Sequence, residues 1–240
     1  MAPVDFAALY ARVEEVQNDI SLHREAALAT ILPLILVAEV LAQQYDVVVT
    51  NPPYMSLKGM PKALFEYVMK NHSTTKNDIY CVFIEKCLKQ YAKAHGYVAM
   101  ITQQVWMFTS GFEKFRKDLL ANYTINSLIQ LGTKAFEDIS GEVVQTCTFI
   151  IKSDRIAKSK TNFFRLVDEN SSSSKENAFL ARKERYEVSS EQFSAVPGAP
   201  ICYWLSDKIF KIYQTSLSIS DVSKTCLLYT SPSPRDISGS

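Results

Sequence analysis

The alternation of apolar and polar residues predicts helices first and strands later. In "PVDFAALYARVEEVQ", Phe6, Leu9, Tyr10, Val13 and Val16 recur at three- and four-residue spacing, with Asp5 placed as an N-cap. The run "AALATILPLILVAEVLA" (26–42) is apolar except at Thr30 and Glu39, which predicts a second, buried helix over Leu22 to Gln43, kinked near Pro33. At "YDVVVT" (45–50) the period changes, and three consecutive valines predict a buried strand. "GMPKALFEYVMKNH" predicts a helix with Leu64, Phe65, Val68 and Met69 inward. "NDIYCVFIEKCLKQYAKA" predicts a longer one capped by Asp78.

"GYVAMIT" (96–102) is a continuous apolar run opened by glycine, expected to be a strand buried on both faces. A helix from near Ser110 follows, then strands in "TINSLIQLG" (124–132) and "EVVQTCTFIIK" (142–152). Their connection, "TKAFEDISG", is too short for a parallel crossover, so the last two strands are expected to form an antiparallel pair at one edge of the sheet. Alternating strands and helices before that pair place the chain in the α/β class with a mostly parallel sheet.

Beyond Lys152 the pattern loosens. "SDRIAKSK" is linker-like and basic, "TNFFRLVD" is a candidate strand, and "ENSSSSKEN" is a polar loop. "PGAPICYWLSDKIFKIYQ" is a turn followed by an amphipathic helix. The expected division is a helical lead-in (1–44), an α/β unit (45–155) and the start of a following unit (156–225). The tail "CLLYTSPSPRDISGS" (226–240) matches the one-frame translation of a transposase-type sequencing adapter and is set aside from function.

Composition changes this picture little. The 240 residues suffice for one α/β domain and part of a second. A net charge of +1 gives the whole chain no electrostatic signature for nucleic acid or membrane, although a local basic groove needs none. The five cysteines are scattered without metal-ligand spacing, which points to no metal, no disulfide framework and a reduced cytoplasm. The apolar run at 26–42 falls short of the ~20 residues that span a bilayer, and no signal peptide is read, so no membrane partner is expected. His23, His72 and His95 have no acid or serine partner at telling spacing and read as surface or helix-end residues; Trp106 and Phe108 read as packing, and Lys58 as an exposed lysine within reach of a phosphate.

The chemistry lies in Asn51, Pro52, Pro53 and Tyr54. Ligands of open α/β sheets sit at the carboxyl ends of strands, where Asn51 is expected. Its amide offers one acceptor, the two prolines remove neighbouring N–H donors, and Tyr54 adds a flat stacking face. Together they suit a planar group carrying –NH2. Two acceptors on that amine, the Asn51 side-chain oxygen and the Pro52 carbonyl, favour a localised lone pair, as N-methyl transfer requires.

"YDVVVTNPPYMSLKGM", "DIYCVFIEKCL", "GYVAMITQQVWMF", "FEKFRKDLL", "AFEDISGEVVQTCTFII", "FFRLVD" and "PGAPICYWLS" in that order resemble the PglX adenine-specific DNA methyltransferases of BREX phage-defence systems. The resemblance covers nearly all of residues 4–225. It implies the C-terminal half of a Rossmann-like methyltransferase sheet, S-adenosyl-L-methionine as cofactor, double-stranded DNA with a flipped adenine as substrate, and other phage-defence proteins as further partners. It implies that Asn51 and Pro52 accept from the adenine N6, that Tyr54 and Phe136 stack on the base, and that Asp78 lines the cofactor's methionine side. The family's glycine-rich cofactor loop is absent: no two of the seven glycines lie within five residues of each other. The segment is therefore expected to be cut at both ends and inactive alone. Alternatives are the methyltransferase part of a combined restriction–modification enzyme, a protein-glutamine methyltransferase, and a non-catalytic DNA-binding remnant.

Overall fold

The structure, a computed structural model, describes residues 4–18, 23–136, 144–217 and 223. Cys226 and the whole 226–240 tail lie outside them. Six strands form one sheet: β1 (Tyr45–Thr50), β2 (Ala92–Gln103), β3 (Thr124–Gly132), β4 (Thr146–Lys152), β5 (Lys160–Arg165) and β6 (Arg185–Ser189), in the order β1-β2-β4-β3-β5-β6. β1 and β2 are parallel, as are β3 and β5; β4 runs antiparallel to both β2 and β3. The carboxyl ends of β1, β2, β3 and β5 therefore share one side of the sheet.

The antiparallel pairing of the 124–132 and 146–152 strands is present, but the pair lies inside the sheet. β4 inserts between β2 and β3, and β5 and β6 add beyond β3. The boundary expected near residue 155 is accordingly not marked by a break in the sheet.

Register explains where the core sits. Met100 pairs with Phe149, Phe149 with Leu128, and Leu128 with Phe163, a cross-strand row in which every side chain is buried. Helices α4 (Ile79–Lys86) and α5 (Glu113–Asn122) contribute Tyr80, Cys81, Ile84, Phe115 and Leu119 to the same cluster. The opposite row, Val49–Ala99–Ile150, is only partly covered: Val49 is 73% exposed and Ile150 40%. β1 was expected to be buried and the 96–102 run of β2 to be buried on both faces; instead β1 is largely exposed, and in β2 buried residues alternate with half-exposed ones.

The lead-in pairs α1 (Phe6–Gln17) with α2 (Arg24–Ala42). Asp5 caps α1 by accepting from the Ala8 amide at 3.0 Å, as expected. α2 departs from its expected burial: Ile35 alone is buried, while Leu34, Val37, Val40 and Leu41 are exposed, since α1 is the element that packs on it. By length and composition α2 could cross a membrane. α3 (Lys62–Asn71) joins α4 in a small second core of Met60, Val68, Ile79 and Val82.

Two further expectations change. The long helix from Asn77 is shorter: α4 ends in a π turn at Cys87–Tyr91, and β2 begins at Ala92. The serine-rich "loop" begins a helix instead, α6 (Ser172–Leu180), because Ser171 and Ser174 form a reciprocal capping box. "PGAPICYWLS" leads into α7 (Asp207–Thr215) as expected. Cys81, Cys87, Cys147 and Cys202 are buried and free, and no metal-binding cluster occurs among the described residues.

His72 is a helix-end residue, as one of the two readings allowed, but a buried one with an acidic partner. It is buried at the end of α3, its Nδ1 3.0 Å from Glu85 of α4, which also accepts from Thr75 (2.5 Å) and Lys89 (2.9 Å). Likewise His95 meets Asp154 at 2.8 Å. Burial raises the Glu85 carboxyl, but bonds from Thr75, Lys89 and His72 outweigh it and hold the group below its usual range. A lowered carboxyl contributes stability that is present above the unfolded value of about 4.3 and lost as pH falls through the folded one. Urea midpoints of the chain should therefore fall below pH 5, and Glu85→Gln should flatten that acid limb; an unchanged limb would remove Glu85 from the acid response.

Candidate active site

β1 delivers Asn51 directly beyond Thr50, at the carboxyl end of the sheet. Pro52 is buried, whereas Asn51, Pro53 and Tyr54 are exposed. The Tyr54 hydroxyl lies 3.4 Å from Asn51 Oδ1 and 3.3 Å from the Ile101 carbonyl of β2, two acceptors for its one proton. Its ring meets buried Tyr80 edge to face, with centroids 5.8 Å apart. The Tyr54 phenol is pushed up, first by burial and then by the nearby Cys147 and Asp78. Tyr54 is thus a ring fixed from below by α4, with one side facing out.

The loop after Tyr54 is strapped to the start of α4. The Met55 amide donates to Asp78 Oδ1 at 3.1 Å, the Ile79 amide to the Met55 carbonyl at 3.0 Å, and the Leu57 amide to the Asn77 carbonyl at 3.1 Å. Asp78 also caps α4 through the Tyr80 amide at 3.4 Å. Burial raises the Asp78 carboxyl, against the lowering effect of the Met55, Tyr80 and Ile79 amides. One aspartate therefore joins the loop carrying Asn51 to the helix carrying Tyr80.

Phe136 stands apart. It is 41% exposed and follows the carboxyl end of β3, so β2 and β4 lie between it and Asn51. At about 4.8 Å per strand this is ~14 Å along the sheet. No ring contact joins Phe136 to Tyr54 among the described residues. Lys58 is exposed, and Trp106 is fully buried.

Several residues at this end of the sheet were not singled out from sequence. Gln104, just after β2, accepts from Gln130 of β3 at 3.0 Å, and Gln130 accepts from the Tyr203 hydroxyl at 2.6 Å. Arg116 of α5 is buried and donates to the carbonyls of Trp106 (2.9 Å), Thr109 (2.6 Å), Gly198 (2.7 Å) and Ala199 (3.1 Å). Gly198 takes φ +80°, a conformation that favours glycine, and turns its carbonyl to that guanidinium. The available signal was spacing: Arg116 shares the apolar helical face of Phe112, Leu119 and Leu120.

The described residues do not by themselves build a pocket for S-adenosyl-L-methionine. Asp78 Oδ1 is committed to the Met55 and Tyr80 amides, and the chain's glycines are too dispersed for a phosphate-type or cofactor turn.

Comparison with known proteins places the chain in a family. The family model described as Eco57I restriction-modification methylase matches residues 10–136. Over 189 residues the chain is 39% identical to the adenine-specific methyltransferase PglX of Lacticaseibacillus casei (strain Zhang), covering 76% of this chain and 16% of that protein. Over 205 residues it is 40% identical to the adenine-specific methyltransferase BrxX of Escherichia coli O9:H4 (strain HS), covering 83% and 17%. The chain thus spans about one sixth of the length of these relatives. A solved type I restriction-modification system shares the fold, with TM-score 0.50 and 15% identity over 77% of this chain and 42% of that one. With the family model matching more than half of its residues, the chain belongs to the Eco57I restriction-modification methylase family.

Proposed function

We propose that this segment is the base-binding part of an adenine-N6 DNA methyltransferase that acts in the cytoplasm in phage defence and uses S-adenosyl-L-methionine. The observation that carries this reading is the Asn51–Tyr54 loop. An amide oxygen follows β1 directly before two donor-free prolines, and accepts from the hydroxyl of a ring packed on Tyr80. An adenine N6 cannot be reached inside a stacked duplex, so the base must be extruded into this loop. Asn51 Oδ1 and the Pro52 carbonyl then accept the two N6 hydrogens and carry the developing positive charge. The Tyr54 hydroxyl, now shared between Asn51 and Ile101, yields the Asn51 oxygen to the amine and keeps the β2 carbonyl.

Asp78 is assigned chiefly to holding the loop, with any contact to the cofactor's methionine end made from the same place. Phe136 is the proposed second stacking ring, a role that requires it to approach Asn51 across β4 and β2. Double-stranded DNA is the proposed substrate, and other phage-defence proteins are the proposed partners. The methyltransferase part of a combined restriction–modification enzyme is a second reading, favoured by the family model itself.

Transfer of labelled methyl from S-adenosyl-L-methionine to DNA, by a protein carrying this segment at the length of its relatives, tests the proposal. Digestion should yield N6-methyl-2′-deoxyadenosine; label in protein glutamine, or in cytosine, would overturn it. In the same assay Tyr54→Phe keeps the ring on Tyr80 and should change the rate less than about threefold. Tyr54→Ala loses a stacking contact worth ~1–3 kcal/mol, a drop of about 5- to 150-fold. Equal losses in both variants would place the role in the hydroxyl instead.

A further inference from the structure

The motif "PGAPICYWLS" has no part in the loop around Asn51, yet it builds a second site on the same side of the sheet. A cavity of about 440 Å³ is lined by Phe108, Gln130, Arg165, Tyr186 and Trp204. That lies within the range of about 300–1,000 Å³ usual for small-ligand sites. Gln130 and Arg165 come from the carboxyl ends of the parallel strands β3 and β5, and Phe108 follows β2.

We propose that this cavity holds a second nucleobase of the DNA strand, a few nucleotides from the adenine held by Asn51. The inference rests on the reading of the chain as a DNA adenine methyltransferase, and deepens it.

The walls are aromatic and rigidly mounted. Trp204 is 41% exposed, but its ring packs edge to face on Tyr203 (5.1 Å) and is tilted against Phe108 (5.6 Å). Tyr203 is itself fully buried, stacked on Phe163 at 4.7 Å and bonded to Gln130. Arg116 ties both walls together, since it holds the Trp106 and Thr109 carbonyls on one side and those of Gly198 and Ala199 on the other. An indole presented this way is a stacking platform with little rotamer freedom to lose on binding.

The polar groups suit a nucleotide. The Gln130 amide already accepts from Tyr203 and donates to Gln104, which fixes its plane. Among the described residues Arg165, its side chain 33% exposed, pairs with Asp168, whose side chain is 75% exposed. A pair whose carboxylate is this exposed contributes little, so the half-buried guanidinium can turn to a phosphate at modest cost. The position fits too. β3 lies ~14 Å from β1, about four steps of 3.4 Å along a DNA strand and fewer if the strand is extended.

The test uses the 240-residue chain, which holds two tryptophans. The indole N–H of Trp204 is the probe in ¹⁵N-resolved NMR; that of Trp106, buried and donating to Thr102, is the internal control. A single-stranded hexadeoxynucleotide should shift the Trp204 resonance saturably and leave Trp106 in place. Trp204→Leu, with the Trp106 resonance unmoved as evidence of folding, should weaken the oligonucleotide about fivefold or more. An abasic strand of equal length should leave Trp204 unshifted; an equal shift would overturn base recognition in favour of phosphate alone. Deoxyadenosine monophosphate binding as tightly as the strand would overturn the DNA source in favour of a free nucleotide. If DNA shifts the Asn51, Tyr54 and Met55 amides but not Trp204, this inference fails while the methyltransferase reading stands. If DNA shifts neither, both fail.

Discussion

Asn51→Ala is expected to lower methyl transfer by about 100-fold or more while changing DNA affinity by less than about threefold. Losing one preorganised group that stabilises developing charge costs ~2.7–4 kcal/mol, which is a factor of 10²–10³ in rate. Asn51 is exposed at the end of β1, and its recorded side-chain bond is the 3.4 Å contact from Tyr54, so its removal leaves the core intact. Most DNA contact should arise elsewhere, from phosphates, so affinity survives. Asn51→Asp retains an acceptor at the same place and should keep more activity than alanine. Rates and affinities measured in parallel check this: a loss confined to affinity would mean that Asn51 binds but does not promote transfer.

The largest structural effect is expected at Arg116. It is a buried cation that pairs with no carboxylate among the described residues, and four backbone carbonyls satisfy it. Burial depresses its pKa, with Glu113 nearby opposing, but an arginine remains charged. Arg116→Met keeps the apolar stem and removes the donors, stranding carbonyls in the Trp106–Thr109 turn and at Gly198–Ala199. A buried acceptor left unsatisfied costs ~1–3 kcal/mol, and two or more stranded carbonyls put the loss at ~3–5 kcal/mol. For a chain of this size that is a fall in Tm of ~6–20 °C, readable by thermal circular dichroism. Lys117→Ala, one residue on and solvent-exposed, should cost less than about 0.5 kcal/mol and serves as the comparison. Equal shifts for the two variants would mean that the Arg116 network contributes no net stability.

The contrast between these residues shows what was legible in the sequence. Asn51, Tyr54 and Asp78 could be read because their meaning is local: an aliphatic strand, two prolines, an aromatic, and an aspartate at a helix start. Strands β1 to β5 were legible from local apolar, β-branched or aromatic runs, whereas β6 (Arg185–Ser189) was not anticipated, because its charged and polar residues carry no such run. Arg116, Gln104, Gln130 and Tyr203 were not, because each acquires its partner only when distant segments meet; Arg116 and Gly198 are far apart in sequence. Burial also misled. The run at 26–42 and the valines of β1 have apolar character without a described element to cover them, and local pattern carries no information about that. The serine run at 171–174 failed differently: its polarity suggested a loop, whereas reciprocal side-chain capping starts a helix.

The central claim is that the loop after β1 holds an exocyclic amine between two acceptors. Its most direct test is a crystal structure of the protein with DNA containing its target adenine. The expected result is an extruded adenine with N6 within ~2.7–3.2 Å of both Asn51 Oδ1 and the Pro52 carbonyl, its ring lying on Tyr54. An adenine still stacked in the duplex beside a fully ordered loop, or an extruded base with N6 turned away from Asn51, would contradict it.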